Sequence, residues 1–113
     1  MTKQTTNKQS RPKIYVSGKI TGKDNYKEVF AKAEDTLLRL GFAPISPVKA
    51  FFEEFTYQDF ICVDLAILSR CDGIYMIDGW GLSEGAKLEW RFAKAMGIPI
   101  YYSEEDLIKA KDG

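Results

Sequence analysis

The sequence predicts a small α/β domain built on a parallel sheet of about four strands in the order 2-1-3-4, flavodoxin-like or Rossmann-like, flanked by helices. Three observations predict it. Short β-branched and aromatic runs alternate with segments whose apolar residues recur every three or four positions, giving the order β-α-β-α-β-α-β. Parallel neighbours require a crossover, and each helical segment is long enough to supply one. The chain has 113 residues, 45% of them apolar and 28% charged, which is room for one core and the composition of a globular protein.

The first strand is expected at 13–18 (KIYVSG), a β-branched and aromatic run that stops at glycine. Residues 24–40 place Tyr26, Val29, Phe30, Ala33, Leu37 and Leu40 on one face of a helix, with Gly41 as its cap. A brief second strand follows at 42–45, bounded by Pro44 and Pro47, and 48–56 reads as a loop. The second helix, 57–70, carries Phe60, Ile61, Asp64, Ile67, Leu68 and Cys71 at helical spacing, with Thr56 as N-cap and Asp59 three residues on. A buried strand at 73–77 (GIYMI) exits through the loop 78–82 into a third helix, 83–96, capped by Gly97. The fourth strand is expected at 98–102, and Ser103 followed by Glu104, Glu105 and Asp106 opens a short terminal helix.

Composition narrows the chemistry. There is no histidine, so Ser-His-Asp and Cys-His nucleophile schemes and most zinc sites are excluded within the chain, and carboxylates must carry any catalysis. Neither a metal nor another cofactor is expected. Cys62 and Cys71, read as lying on one helix, are expected as buried thiols in a reducing compartment. Residues 1–13 hold Lys3, Lys8, Arg11 and Lys13 and no acid, which leaves twelve basic against sixteen acidic residues in the other hundred. Residues 1–12 are expected as a disordered basic tail and 13–113 as a single domain of mildly acidic surface, which argues against duplex nucleic acid as a ligand. No apolar run approaches the ~20 residues needed to cross a bilayer and no secretory leader is apparent, so a cytoplasmic protein without membrane contact is expected.

In sheets of this type ligands sit beyond the carboxyl ends of the strands at the switch point, here between the first and third strands, at the loops 17–23 and 78–83. Helical geometry aims carboxylates toward that edge. In the third helix Leu82, Gly85, Ala86, Ala93 and Met96 form the stripe facing the sheet, and Glu89 falls in its middle; in the second helix Asp64 shares the apolar face. One such acid could reach solvent or pair with Lys87 or Lys94, but two on inward faces are costly unless they line a polar cleft. Asp78, at a strand's end, is a third acid, although Asp-Gly is also common turn chemistry. Ser17, Gly18, Lys19, Ile20, Thr21 and Gly22 precede a helix, so this segment is either a simple tight turn or a cradle whose amides and lysine face an anion. Ser83 caps the third helix, where a hydroxyl beside free helix amides is a natural phosphate ligand, and Gly85 stands in its first turn. Tyr15, Trp80, Phe51, Phe52 and Phe55 are core by default; Trp80, between two glycines, is the aromatic expected to meet a ligand, and the phenylalanines either roof the pocket or form a dimer contact.

KIYVSGKITG, an amphipathic helix, YQDFICVDLAILSRCDGIYMIDGW and GLSEGAKLEWRFAKAMGIPI, spanning 13–102, resemble the nucleoside 2-deoxyribosyltransferase-like superfamily, which includes 2′-deoxynucleoside 5′-phosphate N-hydrolases. The resemblance implies Glu89, followed by Ala93, as the nucleophile that attacks C1′ of the sugar. It implies Ser83 as a 5′-phosphate ligand, Tyr15 and Gly18 beside the sugar and base, Asp64 near the base and Asp78 near the reaction centre. Lys19 stands where the hydrolases tend to have serine, and Trp90 and Arg91 depart from the smaller residues usual after the glutamate. The short stretch beyond the fourth strand weighs toward hydrolysis over transfer.

An oxocarbenium-like sugar can be trapped or stabilised by a carboxylate, while Asp78 or Asp64 protonates the departing base. The expected function is therefore cleavage of the N-glycosidic bond of a (deoxy)nucleoside 5′-monophosphate by a homodimer or higher homo-oligomer. A nucleotide-binding module without chemistry is the alternative. A phospho-acceptor receiver domain ranks last, because the first strand ends in SGK rather than an acidic pair.

Overall fold

The computed structural model describes residues 11–20, 25–47 and 53–112; Thr21, Gly22, Phe51, Phe52 and residues 1–10 of the expected tail lie outside them. Four strands, β1 (Lys13–Ser17), β2 (Ala43–Ile45), β3 (Gly73–Met76) and β4 (Ile100–Tyr101), form one parallel sheet in the order β2-β1-β3-β4. Helices α1 (Tyr26–Arg39), α2 (Tyr57–Leu68), α3 (Glu84–Met96) and α4 (Glu104–Asp112) flank it. Fold class and strand order are those the sequence predicts.

Strand alternation divides the interior. Ile14 and Val16 of β1 pack against Phe30, Ala33 and Leu37 of α1 and Leu107 of α4, whereas Tyr15 faces Leu68 of α2 and Ala86 and Ala93 of α3. The register continues the division across the sheet: Tyr15 pairs with Ile74 and Ser17 with Met76, so all four side chains point toward α2 and α3. Two layers of helices thus enclose a sheet buried on both faces.

Element ends depart from the sequence reading where local chemistry intervenes. α1 closes on Leu40, and Gly41 takes φ 91°, a left-handed turn that only glycine adopts without strain. β2 begins at Ala43 and tolerates Pro44 because it is an edge strand, where a missing N–H leaves no ladder bond broken on its open side. α2 starts with the reciprocal cap expected: Thr56 Oγ1 accepts from the Asp59 N–H at 3.2 Å and Asp59 accepts from the Thr56 N–H at 2.7 Å. It ends two residues early, so Cys71 lies in the turn beyond it and not on the same helix as Cys62. Cys62 is exposed and Cys71 half-buried, which corrects the expectation of two buried thiols.

The loop after β3 contains a single 3-10 turn, Trp80–Leu82, before Ser83 caps α3. β4 is reduced to two residues because Ile98 donates back to the Ala93 carbonyl in closing α3, and Pro99 follows. The predicted inward stripe of α3 is also shorter than expected: Ala86, Glu89 and Ala93 are buried, but Leu82, in the 3-10 turn before the helix, is 75% exposed and Met96, its last residue, 59%. Among the described residues no helix is long and apolar enough to cross a membrane.

Candidate active site

A cleft of about 450 Å³ opens past the carboxyl end of β1, between α2 and α3. Gly18, Lys19 and Ile20 form its first side, leaving β1 toward α1. The second side is a helical face of α2 in which Tyr57, Phe60, Ile61 and Asp64 follow each other at steps of three, one and three. Leu82, Ser83, Glu84 and Gly85 bring the N-terminus of α3 to the third side, and Glu89 and Ala86 lie at the base.

Glu89 is 5% exposed and its carboxylate accepts two hydrogen bonds from β1: Tyr15 Oη donates to Oε2 at 2.7 Å and Ser17 Oγ donates to Oε1 at 2.6 Å. The two donors share a face because they are two residues apart on a strand. The long tyrosine and the short serine reach the two oxygens of one carboxylate from Cα positions roughly 6.6 Å apart along the strand. Desolvating a carboxylate costs several kcal/mol, and each charge-assisted bond returns only roughly 1.5–3 kcal/mol. An apolar residue at position 89 would avoid that penalty but leave the buried Tyr15 and Ser17 hydroxyls without this acceptor.

Asp64, 9% exposed, faces the same cleft from α2. Burial pushes the Tyr15 hydroxyl far above the usual tyrosine range, helped by the negative charges of Glu89 and Asp64 and by the hydrogen bond to Glu89. Tyr15 therefore remains a protonated donor. The two lysines that might have neutralised Glu89 are engaged elsewhere: Lys87 Nζ lies 2.8 Å from Glu84 Oε2, and Lys94 Nζ lies 4.7 Å from the centre of the Trp90 ring. The Lys87 hydrogen bond and charge hold the exposed Glu84 carboxyl below the usual range. This pairing offsets the one acid at the mouth of the cleft beside Ser83.

Ser83 Oγ accepts from the Ala86 N–H at 3.1 Å, as a helix cap should, which leaves its own proton available. Gly85 is tightly approached. A Cβ there would lie 3.1 Å from Tyr57 Oη and 3.4 Å from Ile61 Cδ1, so a side chain would narrow the cleft where α2 and α3 meet.

The structure thus gathers Gly18, Lys19, Ile20, Asp64, Ser83, Gly85 and Glu89 around one cleft. Tyr15 and Ser17 are fully buried beneath it, and both hydroxyls end on the Glu89 carboxylate. Trp80 stacks on Trp90 with ring centres 5.4 Å apart and lies near Tyr102, whose hydroxyl accepts from Trp90 Nε1 at 2.9 Å; it is not among the residues that line the cleft, although its carbonyl accepts from the N–H of the lining residue Ser83 at 3.0 Å. Asp78 is exposed in the turn before Trp80 and is likewise outside the lining. Tyr57, Phe60 and Ile61 were legible only as an apolar helix face, and their spacing to Asp64 is the signal that would have assigned them to the cleft wall. Among the described residues no group of three or more His, Cys, Asp or Glu side chains is placed to hold a metal ion.

These features define a doubly wound α/β protein with an acid at the base of a cleft beside its sheet switch point. The chain belongs to the family described as Domain of unknown function (DUF4406), whose model matches residues 12–102. Among solved structures it is similar to the 2-deoxyribosyltransferase of the psychrotolerant bacterium Bacillus psychrosaccharolyticus, at 24% identity and a TM-score of 0.62, over 78% of this chain and 69% of that one. The likeness establishes a shared fold. No curated protein matches the sequence.

Proposed function

We propose that the protein cleaves the N-glycosidic bond of a (deoxy)nucleoside 5′-monophosphate, with Glu89 as the nucleophile and water as the usual acceptor of the sugar. The observation that carries this reading is the Glu89 carboxylate, buried at the base of a cleft of nucleotide size and oriented by two hydroxyls. The shared fold with a 2-deoxyribosyltransferase supports it. So does the layout of α3: Ser83 and Glu89 are separated by six residues, about 9 Å of helix axis, the scale of a sugar with its 5′-phosphate.

In this mechanism a Glu89 oxygen bonds to C1′ as the C1′–N bond breaks and its electron pair leaves with the base, which takes up a proton. In this reading Asp64, on the α2 wall, supplies that proton, and its place in the cleft lining, which exposed Asp78 lacks, supports the choice. Water then attacks C1′ and gives its proton to Asp64, the C1′–O bond to Glu89 breaks, and the carboxylate recovers its charge. Lys19, the Ser83 hydroxyl and the free amides of the first α3 turn bind the phosphate and hold the sugar in register. Gly85 keeps the wall low enough for that approach, and Gly18, where a Cβ would meet Ile77 at 3.0 Å, lets the chain turn closely over the end of β3. Exposed Tyr57, Leu82 and Leu88 near the cleft support self-association, which sedimentation would measure as a dimer or larger.

The test is chromatographic: release of free base from each of the common deoxyribo- and ribonucleoside monophosphates, by the native protein and by Glu89→Gln. The expected result is turnover with at least one nucleotide, reduced on the order of 10³-fold or more in the variant. Equal rates in both proteins overturn the mechanism. Calorimetric binding without release of base from any nucleotide would instead establish a binding module. A second free base in the reaction distinguishes transfer, which yields a new nucleotide, from hydrolysis.

A further inference from the structure

We propose that Ser17 is a positioning residue that sets the balance between the two chemical steps at Glu89, restraining attack on the sugar and promoting release of the sugar from the enzyme. The proposal rests on the reading of Glu89 as nucleophile. Its basis is the placement of one hydroxyl. Ser17 is fully buried and ends β1, and its backbone carbonyl already accepts from the Ile77 N–H at 2.8 Å, so the sheet has no need of its side chain. The neighbours on its face of the sheet, Tyr15, Ile74 and Met76, belong to an apolar cluster in which an alanine or valine would pack without an unmet hydrogen bond. What the hydroxyl does is hold Glu89 Oε1 at 2.6 Å while Tyr15 holds Oε2.

Each carboxylate oxygen therefore has its own donor, and this has opposite effects on the two halves of the reaction. A hydrogen bond to a carboxylate is strongest when the full negative charge is present. Forming the bond from Glu89 to C1′ disperses that charge into an ester, so the donor opposes the first step. When water attacks C1′ and the Glu89–C1′ bond breaks, the charge returns to the carboxylate and the same donor favours the second step. Tyr15 alone would fix the orientation of Glu89; Ser17 adds leaving-group character and also keeps the acid ionised at lower pH. Among the described residues, the charged and titratable groups that act on Tyr15 or line the same cleft include Lys19 from the segment after β1, Asp64 from α2, Cys71 from the turn beyond α2 and Glu84 from the first turn of α3. The hydrogen bonds from Tyr15 and Ser17 favour the ionised form of Glu89.

Two variants test this, Ser17→Ala, which removes the donor, and Ser17→Cys, which nearly keeps the volume and offers a weaker donor. The first readout needs no turnover. The Glu89 side-chain carboxyl carbon, assigned by its disappearance in Glu89→Gln, is titrated by carbon NMR in each protein. The expected midpoint rises by about one pH unit or more in Ser17→Ala, with Ser17→Cys between it and the native protein. The second readout is kinetic, with a deoxynucleoside monophosphate that the native protein turns over. The acid limb of the rate profile should rise with the titration midpoint, and mass spectrometry of quenched Ser17→Ala should show a sugar-phosphate adduct at least several-fold above native. An unchanged Glu89 midpoint, or an unchanged rate profile without adduct, overturns the proposal. If the native protein releases no base, the glycosidase reading fails by itself, and a raised midpoint still establishes Ser17 as the residue that holds Glu89 ionised.

Discussion

The two faces of the sheet take alternate residues of the same strand and put them to different ends. On the side of α1 and α4, Ile14 and Val16 meet Phe30, Leu37 and Leu107 in a dry apolar layer. On the side of α2 and α3, Tyr15 and Ser17 meet the carboxylate of Glu89, and Asp64 comes within electrostatic reach of Tyr15. The first face gains stability from area removed from water, and any volume change there is felt. The second gives up part of that gain to keep acids in a low-dielectric setting, where electrostatic interactions are stronger than in water. The comparison teaches that strand alternation separates a dry apolar layer from an acid-bearing polar one, at a spacing of one residue.

That division is breakable in order of effect. Replacing Glu89 by Gln should remove base release on the order of 10³-fold or more while leaving a folded protein, measured by circular dichroism alongside the chromatographic assay. On the opposite face, Leu37→Ala should do the reverse: about 2–5 kcal/mol lost in urea denaturation, with the rate per folded molecule unchanged, because Leu37 is fully buried against the far side of the sheet. A comparable loss of turnover from Leu37→Ala would show that the faces are not independent.

Tyr15→Phe sharpens the contrast further, since it leaves Glu89 Oε2 without this donor and should cost about 1–3 kcal/mol. It also changes the response to alkali. Tyr15 in the folded protein is pushed well above its ordinary value, chiefly by burial and then by the charges of Glu89 and Asp64. The unfolded chain releases that proton near pH 10, and the folded protein does not. The stabilisation tied to Tyr15 is thus complete below about pH 10 and declines as pH rises beyond it, because the unfolded state then binds fewer protons. Denaturation curves from about pH 8 to 11 should show a shallower alkaline decline in Tyr15→Phe than in the native protein. The smallest effect is at the entrance to α2, where Thr56→Ala removes one arm of the reciprocal cap and should cost about 1 kcal/mol, read as a shift in denaturation midpoint, with Glu89 and its donors undisturbed.

Much of the fold is legible in the order of residues. Period-two and period-3.6 patterns mark the strands and helices, their alternation requires a parallel sheet, and Thr56, Ser83, Gly41 and Gly97 mark helix ends through capping chemistry that acts over three or four residues. The inward aim of Glu89 and Asp64 follows from the same local periodicity, because position on a helix fixes the direction of a side chain. The expected burial failed at the ends of α3: Leu82 and Met96 satisfy the stripe by spacing, yet Leu82 lies in the 3-10 turn before the helix and both are exposed. Trp80, flanked by glycines, stacks on Trp90 ten residues later, a contact that spacing alone does not announce.

The sequence by itself determined the class of fold, the strand order and the direction in which two acids point, since each depends on interactions between near neighbours and on the apolar pattern they create. The tertiary structure alone decided what those acids meet. Tyr15 and Ser17 lie 74 and 72 residues from Glu89, and no local rule pairs hydroxyls with a carboxylate over that separation. Only the packing of α3 across β1 brings them within hydrogen-bond distance, and only the approach of α2 encloses the cleft above them.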